Sequence, residues 1–316
     1  MAVMPEQSPP VAVLGAGSIG VSFAILFARN GSPVTLYDPV VSAHERARAE
    51  LAQRLEQLHA YGQLPDPQAV SDCVRFTTEL PDALSGAGFV QECAPERLEL
   101  KRPLLHDAAS HTADDVPIAS SSSAIVPGEL VKDMPAGLAE RVLVGHPGNP
   151  PALLPVIEVV PSTVTAPAVT DRAMSMYRSA GLRPVLVRRE VEGFIFNRLQ
   201  GALLREAYCL LRDGVADVDD IDEVVRSGLG RRWSVIGPFE TADLNTRGGL
   251  QSHAEKLGPA YARMGAERGQ HDPWTADLVA EATAQRRRLL PLADWDARVR
   301  WRDEQLMRLQ PIWDDA

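Results

Sequence analysis

The sequence has few cysteines, few aromatic residues and no excess of basic residues. Its three cysteines are an odd number in 316 residues and lie far apart. This argues against a disulfide framework or a zinc site and favours reduced thiols in the cytoplasm. Lys and Arg total 32 against 42 Asp and Glu, and the resulting net charge of −10 argues against nucleic acid or an anionic membrane as partner.

Long apolar runs are also lacking. The most apolar stretch, residues 11–28, is interrupted by three glycines, so it predicts a strand, a turn and a helix rather than a membrane span. Residues 1–10 have neither the basic region nor the apolar region of a signal peptide. We therefore expect no membrane association.

What the chain does have near its start is a glycine motif directly after a short apolar run. Val11–Leu14 predicts a buried strand, and Gly15, Gly17 and Gly20 then form G-x-G-x-x-G at the start of an apolar helix. In this motif the glycines permit a tight turn, close approach of a pyrophosphate, and packing of helix on strand. The first N–H groups of the helix, at Ser18 and Ile19, are expected to bind the phosphates.

An acidic residue supports the same interpretation. A second predicted strand, Val34–Tyr37, ends at Asp38, 18 residues beyond Gly20. A carboxylate here accepts hydrogen bonds from both ribose hydroxyls and repels a 2′-phosphate, so the predicted cofactor is NAD rather than NADP. The alternative is an ordinary glycine-rich turn in an α/β domain.

The alternation of strands and helices indicates the fold class. It predicts an α/β fold with a Rossmann-type, doubly wound, mostly parallel sheet in a first domain over residues 1–189. The strand pattern then stops, and an all-helical C-terminal domain is predicted over 190–316. Its first helix is expected over 191–212, a second over 217–226, and a glycine-rich, turn-containing segment over 228–250. The apolar surface of the first helix is buried within its own domain or, as we favour, in the interface of a homodimer.

Polar residues that follow the predicted strands are candidates for chemistry, because ligands of such sheets bind at the carboxyl ends of strands. His146 directly follows a strand, and Glu158 lies on the next one. A neutral histidine oriented by a carboxylate is suited to take a hydroxyl proton. By position alone, His146 is either this base or a structural histidine in a turn. The other six histidines are expected on surface helices or loops: His44, His59, His106, His111, His253 and His271.

Several longer motifs resemble the 3-hydroxyacyl-CoA dehydrogenase family, and the resemblance covers the whole chain. They are HPGNPP at 146–151, PVIEVV at 155–160 and GFIFNRL at 193–199. Within the family, NRLQ at 197–200, GLGRRW at 228–233 and GPFET at 237–241 are most similar to the branch of lambda-crystallin and L-gulonate 3-dehydrogenase.

The resemblance implies an NAD-dependent dehydrogenase that oxidises the 3-hydroxyl of a small 3-hydroxy acid to the 3-keto acid. It implies that His146 is the general base and Glu158 its carboxylate partner. It also implies that Asn149 and Asn197 lie beside the substrate.

Two further parts of the family pattern concern the serine run and a helix start. Ser122 matches the substrate-binding serine of the family, and Ser121 or Ser123 are alternatives for that role. The other interpretation is that the serine run is only a low-complexity loop. Glu96 and Lys101 match an E-x-x-x-x-K pattern beside the nicotinamide ribose. The alternative for this pair is a solvated position on the surface of a helix predicted over 96–109.

One departure from the family concerns the substrate. Pro147 and Gly148 stand where acyl-CoA members have an aromatic pair, which favours a free hydroxy acid over a CoA thioester. Arg232, or else Arg231, is a candidate to bind its carboxylate, unless both are surface or interface residues. The other functions considered are a 3-hydroxyacyl-CoA dehydrogenase, a carnitine dehydrogenase and a non-catalytic, crystallin-like structural protein.

Overall fold

The structure is a computed structural model that describes residues 8–270 and 275–314. His271, predicted on the surface, lies outside the described residues. The chain divides into two compact units, Met1–Leu204 and Arg205–Ala316, whereas the sequence pattern places the domain boundary at 189/190. No helix in the described ranges has the length and apolarity that crossing a membrane requires.

The first unit is built on one eight-stranded sheet, which confirms the predicted α/β fold class. The strands are β1 (Val11–Leu14), β2 (Val34–Tyr37), β3 (Val74–Thr77), β4 (Phe89–Glu92), β5 (Ile118–Ser120), β6 (Val142–Pro147), β7 (Val156–Pro161) and β8 (Arg183–Leu186). Their order is β3-β2-β1-β4-β5-β6-β7-β8, and β7 is antiparallel to β6 while the other neighbours are parallel. The sheet is therefore mostly parallel, as predicted.

Helices cover both faces of the sheet. They are α1 (Ser18–Arg29), α2 (Val41–Ala60), α3 (Pro67–Asp72), α4 (Leu80–Leu84), α5 (Leu98–Ser110), α6 (Pro127–Leu130), α7 (Ala136–Ala139) and α8 (Pro167–Ser179). Val11 and Val13 of β1 belong to one apolar cluster with α1, α2 and α8, whereas Ala12 and Leu14 belong to a second cluster with α4, α5 and α6. Burial on both faces explains why β1 is apolar at every position.

The remaining elements are helical. They are α9 (Phe196–Arg212), α10 (Val218–Glu223), a π-helix (Val224–Gly230), α11 (Arg231–Trp233), α12 (Pro238–Asn245), α13 (Gly249–Glu267), α14 (Ala276–Leu289), a 3₁₀ turn (Leu292–Asp294) and α15 (Trp295–Asp314). The glycine-rich stretch over 228–250 is mostly helical rather than turn-like, because only Gly248 and Gly249 within it adopt positive φ.

Three helix predictions need correction. The helix expected over 191–212 begins at Phe196, because Gly193 (φ +75°) and Phe194 (φ +48°) are left-handed and cannot belong to a right-handed helix. The helix expected from residue 96 begins at Leu98, so Glu96 precedes it. Burial of the 191–212 helix within its own domain is also wrong, since none of the α9 side chains is buried.

Candidate active site

Antiparallel pairing of β6 and β7 brings His146 and Glu158 together. The two are register partners, and His146 Nδ1 lies 2.8 Å from Glu158 Oε2. His146 is 5% exposed and Glu158 3%. His146 lies within β6 rather than after it, because the strand extends to Pro147. The contact at Nδ1 fixes the orientation of the His146 ring, so Nε2 is the ring nitrogen that remains for another partner.

The second oxygen of Glu158 is held by backbone at the start of α9. Oε1 accepts hydrogen bonds from Ile195 N (2.7 Å) and Phe196 N (3.0 Å). These N–H groups are unpaired in an isolated helix, and the positive end of the helix dipole favours a carboxylate there. The left-handed turn at Gly193 and Phe194 is what points these N–H groups at Glu158.

Aromatic side chains from the same turn enclose the histidine. The ring centroids of Phe194 and His146 are 5.6 Å apart, and those of Phe196 and His146 are 6.2 Å apart in an edge arrangement. Phe194 is fully buried. The sequence prediction assigned no role to either phenylalanine, although both belong to the GFIFNRL motif.

Glu96 organises the serine run that follows β5. Its Oε1 accepts hydrogen bonds from Ser122 Oγ (2.6 Å), Ser123 N (2.9 Å) and Ala124 N (2.9 Å). Burial acts to raise the pKa of Glu96, but these hydrogen bonds and the charge of Lys101 hold it below the ordinary value. Glu96 is therefore an ionised group that shapes the loop over 120–125.

Two of the candidate serines, Ser122 and Ser123, have different surroundings. Ser122 is fully buried, and its Oγ lies 3.0 Å from Ile125 O and 2.9 Å from Ile125 N, in addition to Glu96. The hydroxyl of Ser122 is thus already engaged within the loop. Ser123 is exposed, and its carbonyl accepts a 3.1 Å hydrogen bond from Asn197 Nδ2. Asn197, near the start of α9, is therefore tied to the serine loop.

Lys101 is buried rather than solvated, which overturns the alternative of a surface pair. It is 1% exposed, and its Nζ lies 3.0 Å and 3.1 Å from the two carboxylate oxygens of Glu92. Glu96 Oε2 is 3.5 Å from the same nitrogen. Lys101 therefore lies between two acidic residues.

Sequence reasoning assigned no role to Glu92, whose one signal was its place at the end of β4. Its carboxylate also accepts hydrogen bonds from Ala94 N (2.6 Å) and from the Ser120 hydroxyl. Burial raises the pKa of Glu92, and the neighbouring Lys101 charge opposes this. Glu92 thus links the ends of β4 and β5 to α5.

The glycine turn fits a dinucleotide. A Cβ at Gly20 would lie 1.9 Å from Gly15 O, and one at Gly15 would lie 2.7 Å from Cys93 O, so neither position admits a side chain. A Cβ at Gly17 would meet nothing within 4 Å, which leaves open space in front of the α1 N-terminus. That terminus has no capping side chain, and its exposed Ser18 N–H is available for a phosphate.

Asp38 is tied to the same turn. Its Oδ2 accepts from Ala16 N and its Oδ1 from Val40 N, both at 3.0 Å. Each carboxylate oxygen keeps a second lone pair for a ribose hydroxyl. Asp38 is therefore held at the end of β2, where the sequence predicted it.

Other residues singled out in the sequence do not take part in the contacts described above. Asn149 is exposed after β6, next to the cis peptide that precedes Pro150. Arg231 and Arg232 lie on α11 in the second unit. His253 is buried in α13, contrary to the predicted surface position, because its side of the helix packs within the helical unit.

Comparison with known proteins identifies the family of this chain. The family model for the 3-hydroxyacyl-CoA dehydrogenase NAD binding domain matches residues 10–191, and that for the C-terminal domain matches residues 193–291. The lambda-crystallin homolog of Bos taurus is 38% identical over 318 residues, which cover 98% of this chain and 97% of the relative. The L-carnitine dehydrogenase of Pseudomonas aeruginosa is 37% identical over 308 residues, 94% of this chain and 91% of the relative.

A solved structure is similar over both units. It is that of 5-formyl-3-hydroxy-2-methylpyridine 4-carboxylic acid 5-dehydrogenase, an NAD+-dependent dismutase, with a TM-score of 0.71 and 31% identity over 90% of this chain and 96% of the other. The matched family models, the relatives and the NAD-binding fold show that this chain belongs to the 3-hydroxyacyl-CoA dehydrogenase family of NAD-dependent oxidoreductases.

Proposed function

We propose that the protein oxidises the 3-hydroxyl of a small, free 3-hydroxy acid of the L-gulonate type to the 3-keto acid, with NAD+ as acceptor. The observation that carries this proposal is the buried pair of His146 and Glu158, in which one nitrogen of the ring faces the carboxylate at 2.8 Å. A base held in this way needs no reorganisation during proton transfer.

In this proposal His146 acts as the general base. With Nδ1–H donating to Glu158, Nε2 is unprotonated and accepts the proton of the substrate hydroxyl. Glu158 stabilises the imidazolium that forms, and the Ile195 and Phe196 N–H groups keep Glu158 in place. The glycine turn at Gly15, Gly17 and Gly20 and the Asp38 carboxylate would hold NAD+, which would supply the hydride acceptor.

Neighbouring polar residues are proposed to orient the substrate. Asn197 and Asn149 provide amide groups for the substrate, as the family resemblance implies. Of the serines, Ser123 is better suited to a substrate contact than Ser122, because Ser123 is exposed while the Ser122 hydroxyl is engaged with Glu96. We assign Ser122 to positioning the loop.

The cofactor residues follow from the fit described above. Gly15 and Gly20 allow the turn, Gly17, Ser18 and Ile19 face the pyrophosphate, and Asp38 accepts from the ribose hydroxyls. Glu96, beside Lys101, is proposed to lie at the nicotinamide ribose.

The proposed class of substrate has several specific alternatives. Pro147 and Gly148 favour a free acid, as argued from the sequence. The carnitine dehydrogenase relative favours a zwitterionic 3-hydroxy acid, and the name of the family favours a CoA thioester. The lambda-crystallin relatives allow a structural role, but the enclosed His146–Glu158 pair favours catalysis.

The test is a turnover panel. L-gulonate, 3-hydroxybutyrate, L-carnitine and 3-hydroxybutyryl-CoA would each be offered with NAD+ and with NADP+, and reduced nicotinamide followed by its absorbance. We expect NAD+-dependent turnover of a free acid, faster than with NADP+ or the thioester. A faster thioester reaction would contradict the substrate class, and NAD+ binding with no turnover would favour the structural role.

We also propose a homodimer and a cytoplasmic location. Leu199, Leu203 and Tyr208 are exposed on α9, with Tyr208 71% exposed, and a second copy of the chain is the occupant that would cover them. Cys73, Cys93 and Cys209 are all free thiols, which suits a reducing compartment and is checked by fractionation of the cells that produce the protein.

A further inference from the structure

The helical unit contains a cavity of its own. It has a volume of about 440 Å³ and is lined by residues of the π-helix, α11, α12, α13 and α14. Most of its wall is apolar, including Leu250, Leu278 and Val279. The volume lies within the range of roughly 300–1,000 Å³ that is typical of small-molecule sites.

One guanidinium nitrogen on the cavity wall lacks a partner. Arg232 lines the cavity, and its Nε is buried without a hydrogen-bond acceptor. Among the residues whose side chains the structure describes, no acidic side chain pairs with Arg232. Leaving a buried, charged donor unpaired is costly, so an anionic acceptor in the cavity would be strongly favoured.

The other polar groups of the wall indicate the charge of that acceptor. Thr241 Oγ1 is a second buried atom without a partner. His253 Nδ1 is 3.3 Å from Thr246 Oγ1, and burial lowers the pKa of His253, so its ring is neutral at neutral pH. Of the described residues on the wall, Arg232 alone is then charged. One guanidinium and one hydroxyl suit a carboxylate better than a doubly charged phosphate.

We propose that this cavity binds a small monocarboxylate with an apolar body. The carboxylate accepts from Arg232 and Thr241, and the body packs against Leu250, Leu278 and Val279. This goes beyond the proposed function, because the proposed substrate is an acid of the L-gulonate type, which carries several hydroxyls. The ligand of this cavity is instead an acid with an apolar body, and Arg232 is assigned to that ligand.

The test measures binding without NAD and without turnover. Hexanoate is titrated into the full-length protein by calorimetry, with hexanamide as the uncharged probe and gluconate as the polyhydroxylated acid. We expect hexanoate to bind more tightly than either. Arg232→Gln should weaken hexanoate binding about tenfold to a hundredfold, the range for a hydrogen bond to a charged group. Arg263→Gln, an exposed position on α13, is the matched control.

A second variant keeps the proposal testable if Arg232→Gln does not fold. Thr241→Val keeps the side-chain shape, so it should leave thermal unfolding unchanged or raise its midpoint while weakening hexanoate binding several-fold. Equal affinity for hexanoate and hexanamide, or equal binding by Arg232→Gln and Arg263→Gln, would overturn the proposal. So would a change of oligomeric state in Arg232→Gln at unchanged affinity, since a second copy would then fill the cavity. Hexanoate binding without turnover of any panel acid would overturn the proposed function alone.

Discussion

The two units stabilise their interiors in different ways. In the first unit, apolar clusters on both faces of the sheet surround the polar site residues, and each carboxylate of the site has backbone or side-chain donors. In the described part of the helical unit, the buried apolar cluster consists of Ile236, Leu244 and Leu290. Beside it, the fully buried Asp243 pairs with Arg286 and Arg287.

The two units therefore depend on different interactions for their stability. The first unit has extensive apolar clusters on both faces of its sheet, so we expect it to stay folded when one polar group of the site is lost. The helical unit has a small apolar cluster and a few buried ion pairs. Large apolar side chains such as Tyr208 and Val224 are exposed on it, as Tyr61 is on the first unit. The proposed homodimer would cover Tyr208 on α9.

The largest effect should come from the sheet site and concern turnover. His146→Ala should lower kcat by roughly 10²–10⁴-fold, the contribution of a positioned acid–base group. It should also lower the thermal midpoint, because Glu158 Oε2 is left buried without its partner. Steady-state kinetics on the best acid of the panel measures this. His106→Ala, at an exposed position on α5, should keep the wild-type rate. Equal rates in the two variants would remove His146 from the mechanism.

The next largest effect should concern the stability of the helical unit. Asp243→Asn removes the negative charge shared by Arg286 and Arg287 and should cost about 3 kcal/mol of the free energy of unfolding. This is the low end of the range for a broken buried pair, because Arg287 remains about a quarter exposed. Denaturant unfolding measures it.

The control for this variant is an ion pair in the same unit that is exposed. Arg247 and Asp296 pair at 3.4 Å, with side chains 82% and 60% exposed, so Asp296→Asn should cost less than about 1 kcal/mol. If the two substitutions cost the same, the stability of the helical unit would not depend on its buried ion pairs.

The smallest effect should appear in self-association. Tyr208→Glu places a charge on the exposed face of α9 and should raise the dimer dissociation constant at least about tenfold, as expected for an aromatic interface residue. Tyr61→Glu, at an 83% exposed position in the first unit, should leave it unchanged. Sedimentation equilibrium compares the two, and a wild-type monomer of 34.3 kDa would contradict the homodimer.

Much of the sheet could be predicted because its signals are local. Apolar runs such as Val11–Leu14 predict strands, and the glycine or acidic residues that follow them predict turns and the positions of ligands. The pairing of His146 with Glu158 was predictable once their strands were taken as neighbours, and antiparallel register then brings them opposite each other. Asp38 and the three glycines lie where the motif places them.

What the sequence did not reveal depends on contacts between distant residues. Glu92 and Lys101 are nine positions apart, a spacing with no secondary-structure meaning, and they meet only because α5 packs beside the end of β4. Phe194 adopts a left-handed conformation that its residue type does not suggest. His253 looked like a surface residue because helical periodicity alone does not say which faces of α13 become covered.

A double-mutant cycle would show whether His146 and Glu158 act as one pair in the NAD+-dependent oxidation that we propose. The kcat of His146→Ala, of Glu158→Gln and of the double variant would be measured on the same acid. We expect the double variant to be no slower than His146→Ala, because Glu158 acts through the histidine. Losses that multiply in the double variant would contradict it.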